Sequence, residues 1–444
     1  MLDIAPVTLG LLSVCVVLIL IYLGMYVGVA LMLVSFAGVW LLRDDFSIAS
    51  RLLGQAASDS ISDYIFGVIP LFVLMGLLVS AARLGEDCFE IAHALLHKVA
   101  GGLGVTTVAA NAVFASITGI SIAAAAVFSR IAVPPMVRYG YSVRFAAGVV
   151  AGSSVLGMLL PPSLLFILYG VITEQSIGSL FIAGILPGIF LALAFIAYIM
   201  VMARFAPSFV YSAVRDATAE SADVPKLPFS DVVIRLLPIV VLVLLVMGGI
   251  YGGIFTPTEA GAVGALGALV IAAARGRLDW KTLWNVLVDT GRITASISLL
   301  LIGASLYSRF LALSGLPDFI SGLMVGADVG TPLFLTSFIF IIILLGCIID
   351  SSSTMLISLP IAFPVAVTLG IDPIWFGVIT VLGVEIGLLT PPFGLSVFVV
   401  KATLQQETTV TLNDVFAGSF PFALVMLSVL LVVCLNPWLT TILL

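Results

Sequence analysis

Ile131-Ala132-Val133-Pro134-Pro135-Met136-Val137-Arg138-Tyr139-Gly140 and, 230 residues later, Ile361-Ala362-Phe363-Pro364-Val365-Ala366-Val367-Thr368-Leu369-Gly370 agree at five of ten positions, where about one would agree by chance. The same offset carries Gly157-Met158-Leu159-Leu160-Pro161-Pro162 onto Gly387-Leu388-Leu389-Thr390-Pro391-Pro392. Further on, Ala183-Gly184-x-x-Pro187 returns as Ala417-Gly418-x-x-Pro421, with the offset grown by four. Two homologous halves, each with an apolar segment interrupted by a Pro-Pro pair, are the sequence pattern of a secondary transporter.

Composition sets the class. At 62% hydrophobic and 9% charged residues, with a mean hydropathy of +1.31, the chain lies far from the roughly 25% charged content of soluble domains and reads as a polytopic membrane protein. Met1-Leu2-Asp3-Ile4-Ala5 has no basic stretch, and the apolar run behind it is longer than a signal-peptide core, so an uncleaved first span is expected. The net charge of −6 comes from sparse, scattered charges, which argues against nucleic acid as a partner. Cys15, Cys88, Cys347 and Cys434 share no metal or redox spacing and read as small packing residues.

Apolar stretches able to cross a hydrocarbon layer of about 30 Å occupy 5–22, 24–42, 62–82, 143–172 and 178–205, and again 233–250, 254–274, 288–311, 375–401 and 414–440. Between the third and fourth of each half lies a further apolar segment, 102–136 and 332–367, with Gly, Ser, Thr and Ala near its middle. Each reads as a re-entrant helical hairpin. The expected fold is all-α and polytopic: two repeats of five spans plus one hairpin. Five is odd, so the second repeat enters the membrane inverted relative to the first. With both termini outside, all of the 17 basic residues except Arg43, Arg51 and Arg309 fall on the inner side, a positive-inside bias that selects this orientation. Residues 206–232, the longest polar stretch, read as a cytoplasmic linker between the halves.

Segments 48–60 and 85–99 are amphipathic and unsuited to spanning. In the second, Phe89, Ala92, Leu95, Leu96 and Val99 form an apolar stripe opposite Glu86, Glu90, His93 and His97, the pattern of an interfacial helix bracing the hairpin. His93 and His97 share a helical face with Glu90, a spacing compatible with a metal or simply with a solvated face.

Broken helices persist in lipid only where protein, ion or substrate satisfies the freed backbone groups. Each Pro-Pro pair removes amide donors and frees carbonyls about one turn upstream, around 157–160 and 387–390, suited to a hard monovalent cation such as Na⁺. The hairpin midpoints, Ser116-Ile117-Thr118-Gly119-Ile120-Ser121 and Gly346-Cys347-Ile348-Ile349-Asp350-Ser351-Ser352-Ser353-Thr354, supply hydroxyls and half-helix N-termini that match an anionic carboxylate. Thr118, Gly119, Ser121, Asp350, Ser351 and Ser352 are the candidate substrate contacts. Asp350 and Glu385 are acids within apolar segments, where function is the default reading; Glu385 also suits bracing of neighbouring backbone. Thr256-Pro257-Thr258-Glu259 reads as a structural helix start.

At these residues the chain resembles the large membrane subunit of tripartite ATP-independent periplasmic (TRAP) transporters of the C4-dicarboxylate type, within the ion-transporter superfamily. The likeness is carried by Gly253-Ile254-Phe255-Thr256-Pro257-Thr258-Glu259-Ala260, Arg144-Phe145-Ala146-Ala147-Gly148, Leu156-Gly157-x-x-x-Pro161-Pro162-Ser163 and Ile386-Gly387-Leu388-Leu389-Thr390-Pro391-Pro392-x-Gly394. The resemblance implies a Na⁺-driven importer of organic anions in a bacterial inner membrane, served by a soluble periplasmic substrate-binding protein and a small four-helix membrane subunit. It also implies an elevator: transport parts at 101–205 and 332–444 moving against scaffold parts at 1–100 and 233–331. Carried over by position, one Na⁺ site takes Ser116, Gly157, Leu160 and Ser163, and the other Gly346, Gly387, Thr390 and Phe393, several through backbone carbonyls. The chain departs from the family pattern at Ile120, Ala124 and Gly383, which weakens the case for side-chain substrate contacts at the first hairpin.

A stand-alone Na⁺-coupled anion symporter or exchanger of the same superfamily is the alternative transport reading. An enzyme is disfavoured: Ala94 stands where an HExxH motif needs Glu, and no GxSxG is present. Two occluding hairpins also suit alternating access better than a channel.

Overall fold

The computed structural model describes residues 5–212, 228–326, 330–405 and 410–444. Most of the predicted 206–232 linker, including Arg215 and Lys226, lies outside the described residues. The first half comprises α1 (Pro6–Tyr22), α2 (Val27–Arg43), α3 (Phe46–Ser62), α4 (Val68–Ala81), α5 (Leu84–Leu96), a hairpin of α6 (Gly102–Thr118) and α7 (Ser121–Arg138), a broken helix of α8 (Val143–Ser154), α9 (Leu156–Leu159) and α10 (Leu164–Thr173), then α11 (Ile177–Phe205) and the short α12 (Pro207–Val210). The second half comprises α13 (Phe229–Val243), which passes through a π-helical turn at Leu244–Gly248 into α14 (Gly249–Tyr251), then α15 (Pro257–Ala274), α16 (Trp280–Ser314) and α17 (Leu316–Gly326). A hairpin of α18 (Thr331–Gly346) and α19 (Ser351–Thr368) follows, then a broken helix of α20 (Pro373–Gly387) and α21 (Leu395–Leu404), α22 (Leu412–Leu435) and α23 (Trp438–Thr441). Among the described residues, eight helices are long and apolar enough to cross a membrane, α19 among them. The protein is an all-α polytopic membrane protein made of two repeats, each with five crossings and one helical hairpin. The odd count inverts the second repeat.

The 230-residue offset holds in three dimensions. It maps α7 onto α19 residue for residue and α2 onto α15 to within one. The repeated decapeptide ends both helices in one way: Gly140 (φ +81°) and Gly370 (φ +72°) adopt the left-handed conformation. The amide of Tyr141 then bonds the Met136 carbonyl and that of Ile371 the Ala366 carbonyl, each at 3.0 Å, the bond that closes a Schellman cap. The next helices begin at Ser142, whose Oγ accepts from Phe145 N (3.2 Å), and at Asp372, whose carboxylate accepts from Trp375 N (2.7 Å), satisfying amides that a helix start leaves open. Thr256 and Glu259 form the expected capping box before α15.

One element departs from expectation. The third span of the second half, expected over 288–311, is the 35-residue α16, about 52 Å long at 1.5 Å per residue. It fuses the counterparts of α3 and α4. In the first half Asp63 is extended (ψ 127°) and its carboxylate accepts from Ile65 N at 2.9 Å, ending one helix and starting the next; the equivalent position is Ile293, and nothing there interrupts the ladder.

The halves interlock. Among the most extensive helix contacts are α16 on α2, α15 on α4 and α22 on α8, all between repeats. α5 departs from its predicted stripe: Leu95 is 69% exposed while Asp87 is buried. The reason is electrostatic. Asp87 pairs with Arg275 at the end of α15 and, at 3.5 Å, with Arg235 on α13, which also pairs with Glu90. These contacts tie the brace helix of the first repeat to the first spans of the second, and Leu95 is left on the outer face.

Candidate functional site

At the first hairpin, α6 ends on Gly119 (φ +65°), where glycine carries no Cβ penalty. A Cβ there would collide with the Pro162 carbonyl, and the Gly119 carbonyl accepts from Leu164 N at 3.2 Å. The hairpin tip is therefore stitched to the Pro161-Pro162 break, a cis bond. Gly157 fits beneath the tip: its Cβ would lie 3.1 Å from Ile120 C and Ser121 N. Leu160 ends α9 in extended conformation (ψ 130°). Ser163 starts α10, donating to Met158 O and accepting from Phe166 N at 3.3 Å. Ser116 and Thr118 bond carbonyls of their own helix, Val113 O (2.7 Å) and Phe114 O (3.0 Å). The structure thus brings Thr118, Gly119, Gly157 and Ser163 together, with Ser121 beginning the second limb.

The second hairpin repeats this with other atoms. The Cys347 carbonyl accepts from Phe393 N (3.1 Å) and Gly394 N (3.4 Å), beside the cis Pro391-Pro392 bond. Gly346 and Gly387 touch backbone to backbone; a Cβ on Gly387 would lie 2.6 Å from Gly346 Cα. Thr390 Oγ1 donates to Ile386 O at 2.7 Å. Asp350 caps α19, its carboxylate accepting from Ser353 N at 3.1 Å, so this acid is partly engaged in holding the half-helix open. Ser352 lies next to it, half-buried.

The two breaks differ in exposure. Pro161, Pro162 and Ser163 are buried, whereas Pro391, Pro392 and Phe393 are exposed. The cover over the first is α4: Phe72 and Val73 line a cavity of about 10 Å³ with Thr118, Gly119, Ile120, Pro162 and Ser163, room for one water-sized group. Gly76 lies against the Thr118 carbonyl, 2.7 Å from where its Cβ would be. Phe72, Val73 and Gly76 were not legible as part of this site, because an apolar span carries no sign of which of its faces meets a helix break.

Glu385 is fully buried, and Ser351 donates to its Oε1 at 2.8 Å. Ser121 stands beside the same carboxyl group outside strict hydrogen-bond geometry. Ser121 and Ser351 are equivalent positions at the 230-residue offset, so one acid joins the starts of both inner hairpin limbs. That offset was the available signal for the link.

The His93–His97 face does not converge on a metal. Among the described residues no group of three or more His, Cys, Asp or Glu is suitably placed, and Glu90 is taken by Arg235. His93 lies between Phe89 and Tyr139 (centroids 6.3 and 6.4 Å); burial, then His97, hold its pKa below the ordinary imidazole value.

Residues 14–439 match the family described as "Tripartite ATP-independent periplasmic transporter, DctM component". The chain is 32% identical over 390 residues to the C4-dicarboxylate TRAP transporter large permease protein DctM of Pseudomonas aeruginosa, covering 87% of this chain and 88% of that one. It is 32% identical over 419 residues to the 2,3-diketo-L-gulonate TRAP transporter large permease protein YiaN of Escherichia coli, covering 94% of each. Among solved structures, MtrF of Neisseria gonorrhoeae, described with a class of antimetabolite efflux pumps, superposes with a TM-score of 0.63 at 13% identity over 97% of this chain and 94% of that one, a likeness of fold alone. With its repeats, paired hairpins and Pro-Pro breaks matched along almost its whole length, the chain belongs to the DctM-component family of tripartite ATP-independent periplasmic transporters.

Proposed function

We propose that this large permease imports an organic anion across a bacterial inner membrane, driven by Na⁺, with both termini in the periplasm. The carrying observation is the twice-built stitch between hairpin tip and helix break, Leu164 N to Gly119 O and Phe393 N to Cys347 O. Each stitch leaves carbonyls and a hydroxyl beside a break, a donor set of neutral oxygens that suits a hard monovalent cation. In this reading one Na⁺ sits among Ser116, Gly157, Leu160 and Ser163, and another among Gly346, Gly387, Thr390 and Phe393.

The substrate class is a carboxylate, a C4-dicarboxylate or sugar acid, bound between the tips by Thr118, Gly119, Ser121, Ser351 and Ser352, with Asp350 setting the N-terminus of α19. Two half-helix N-termini point partial positive charge toward that space. A soluble periplasmic binding protein delivers the anion and a small four-helix membrane subunit completes the scaffold. The unequal exposure of the two breaks supports alternating access: α4 covers the first clamp while the second is open. Its inverted-repeat partner predicts a second state in which 298–311 of α16 covers the second clamp and the first opens, the two hairpins and two broken helices moving as one elevator body.

Uptake by cells or proteoliposomes supplied with all three components, with Na⁺ replaced by choline at fixed membrane potential, tests the coupling. Loss of uptake is expected. Unchanged uptake defeats Na⁺ coupling, and full uptake without the binding protein favours a stand-alone carrier.

A further inference from the structure

The 35 residues of α16 reach about 52 Å, well beyond a hydrocarbon layer of about 30 Å. Packing against α2 fixes which end is in excess. A Cβ on Gly28, at the start of α2, would lie 2.8 Å from the Leu299 carbonyl oxygen, and one on Gly303 would lie 2.7 Å from the Gly28 carbonyl oxygen. Farther along, a Cβ on Gly38 would meet the Phe310 ring at 2.3 Å. The two helices therefore run parallel, and residues 280–298 continue past the beginning of α2 by about 28 Å, on the side of the 23–26 turn. Tyr22 and Tyr26 flank that turn and are exposed, the placing of rings at a membrane–water boundary.

The start of α16 is patterned for the same boundary. Trp280 and Trp284 are 76% and 56% exposed, and their rings stack one turn apart with centroids at 6.5 Å. With exposed Leu287 they fall within about 60° of one another at about 100° per residue. Exposed Lys281 and Arg292 flank this stripe on one side, and buried Val286 and Thr290 on the other. Arg277, also exposed, stands just before the helix. Continued straight along the membrane normal, α16 would hold two indoles in water. Inclined into the boundary, it sets those rings among headgroups and the upper ends of acyl chains, while the cations reach phosphates.

We propose that residues 280–292 form a membrane-surface anchor: Trp280, Trp284 and Leu287 enter the lipid interface, and Arg277, Lys281 and Arg292 meet phospholipid phosphates. Charge selects phospholipid as the occupant. A protein partner on this stripe would have to desolvate Lys281 at its edge, whereas a layer of phosphates neutralises it. The 230-residue offset places the amphipathic α3 on 276–292, so each membrane face receives one such arm. From the anchor α16 runs on into its contacts with α2 and α4, and the anchor thereby sets the height of the body that the elevator reading holds still. The choice of the inner leaflet rests on the orientation proposed above.

Tryptophan emission from the full chain in lipid nanodiscs tests the anchor. The difference between the parent and Trp280→Phe/Trp284→Phe isolates the two indoles. Phosphatidylcholine and phosphatidylglycerol brominated near the top of the acyl chains should more than halve that difference emission, and aqueous iodide should leave it almost unchanged. Lys281→Gln/Arg292→Gln should weaken the quenching by brominated phosphatidylglycerol. Quenching by iodide and not by bromine would put the indoles in water and overturn the proposal. Bromine quenching that disappears when the small membrane subunit is reconstituted alongside would assign the stripe to that subunit and overturn it equally. Quenching unchanged by Lys281→Gln/Arg292→Gln would overturn the phosphate contacts. If the double Phe variant does not accumulate, a spin label on Leu287→Cys in a Cys15→Ser background reads the same depth. More collisions with dissolved oxygen than with a water-soluble nickel chelate support the anchor, and the reverse overturns it. None of these readouts needs Na⁺, a substrate or a particular orientation, so the anchor and the transport reading fail separately.

Discussion

Gly148 of α8 and Gly418 of α22 lie main chain against main chain: a Cβ added to either would run into the other helix. In lipid, where helix association depends on close packing, such small-residue contacts set how near two helices approach. Gly148→Ala should therefore lower the melting temperature of the solubilised protein, with a loss of about 1–3 kcal/mol from overpacking. Gly54→Ala, whose Cβ meets nothing within 4 Å, should leave it unchanged or raise it slightly, since glycine inside a helix costs about 0.5–1 kcal/mol relative to alanine.

Ser163→Ala and Thr390→Ala each remove a hydroxyl from one break. Both should raise the Na⁺ concentration for half-maximal uptake several-fold, and the double variant more than either alone. Radiolabelled substrate uptake against Na⁺ concentration checks this; a double variant with the parent's Na⁺ dependence would place the ions elsewhere.

Orientation is open to thiol labelling. In a Cys15→Ser background, which removes the exposed native thiol, Arg51→Cys should react with a membrane-impermeant reagent added to spheroplasts and Lys281→Cys should not. The reverse pattern would turn the topology over.

Asp87 is the shared partner of Arg235 and Arg275. Asp87→Asn strands a partly buried guanidinium and should cost about 3 kcal/mol, read as a lower midpoint in thermal unfolding. In the Asp87→Asn/Arg275→Gln double variant, less than the sum of the single losses should remain.

Val73 and Ile120 line the same small cavity, one on the proposed stationary α4 and the other at the moving tip. A Val73→Cys/Ile120→Cys pair, oxidised, should stop uptake, and reduction should restore it. Continued uptake with the cross-link complete would replace a rigid sliding body by local gating.

The duplicated decapeptide and the Pro-Pro pairs made the repeats, the hairpins and both helix breaks legible, because a glycine after a helix and prolines within one act through the local backbone, which sequence reports well. Thr256-Pro257-x-Glu259 was readable for the same reason. The 35-residue α16 was not: its first half carries Asp289 and Arg292, which look like the end of a membrane run rather than the middle of a helix. Nor was the burial of Asp87, since its partners lie 148 and 188 residues away. Glu385 was recognisable as an acid in an apolar segment, but its place between Ser121 and Ser351 depends on how the halves interlock. The cover that α4 gives the first break depends on how the packed helices meet and left no trace in residue pattern.

The interlocking of α16 on α2, α15 on α4 and α22 on α8 separates two ideas that a duplicated sequence tends to merge. Each half is a copy in descent, yet neither packs as a closed unit, since the three most extensive helix–helix contacts join one half to the other. An unduplicated ancestor would have made those contacts only in a dimer of oppositely inserted chains, and fusion would have fixed one of each orientation in every molecule. The chain severed within 213–227 should therefore still assemble when both pieces are co-expressed, while either piece alone should be degraded in the membrane.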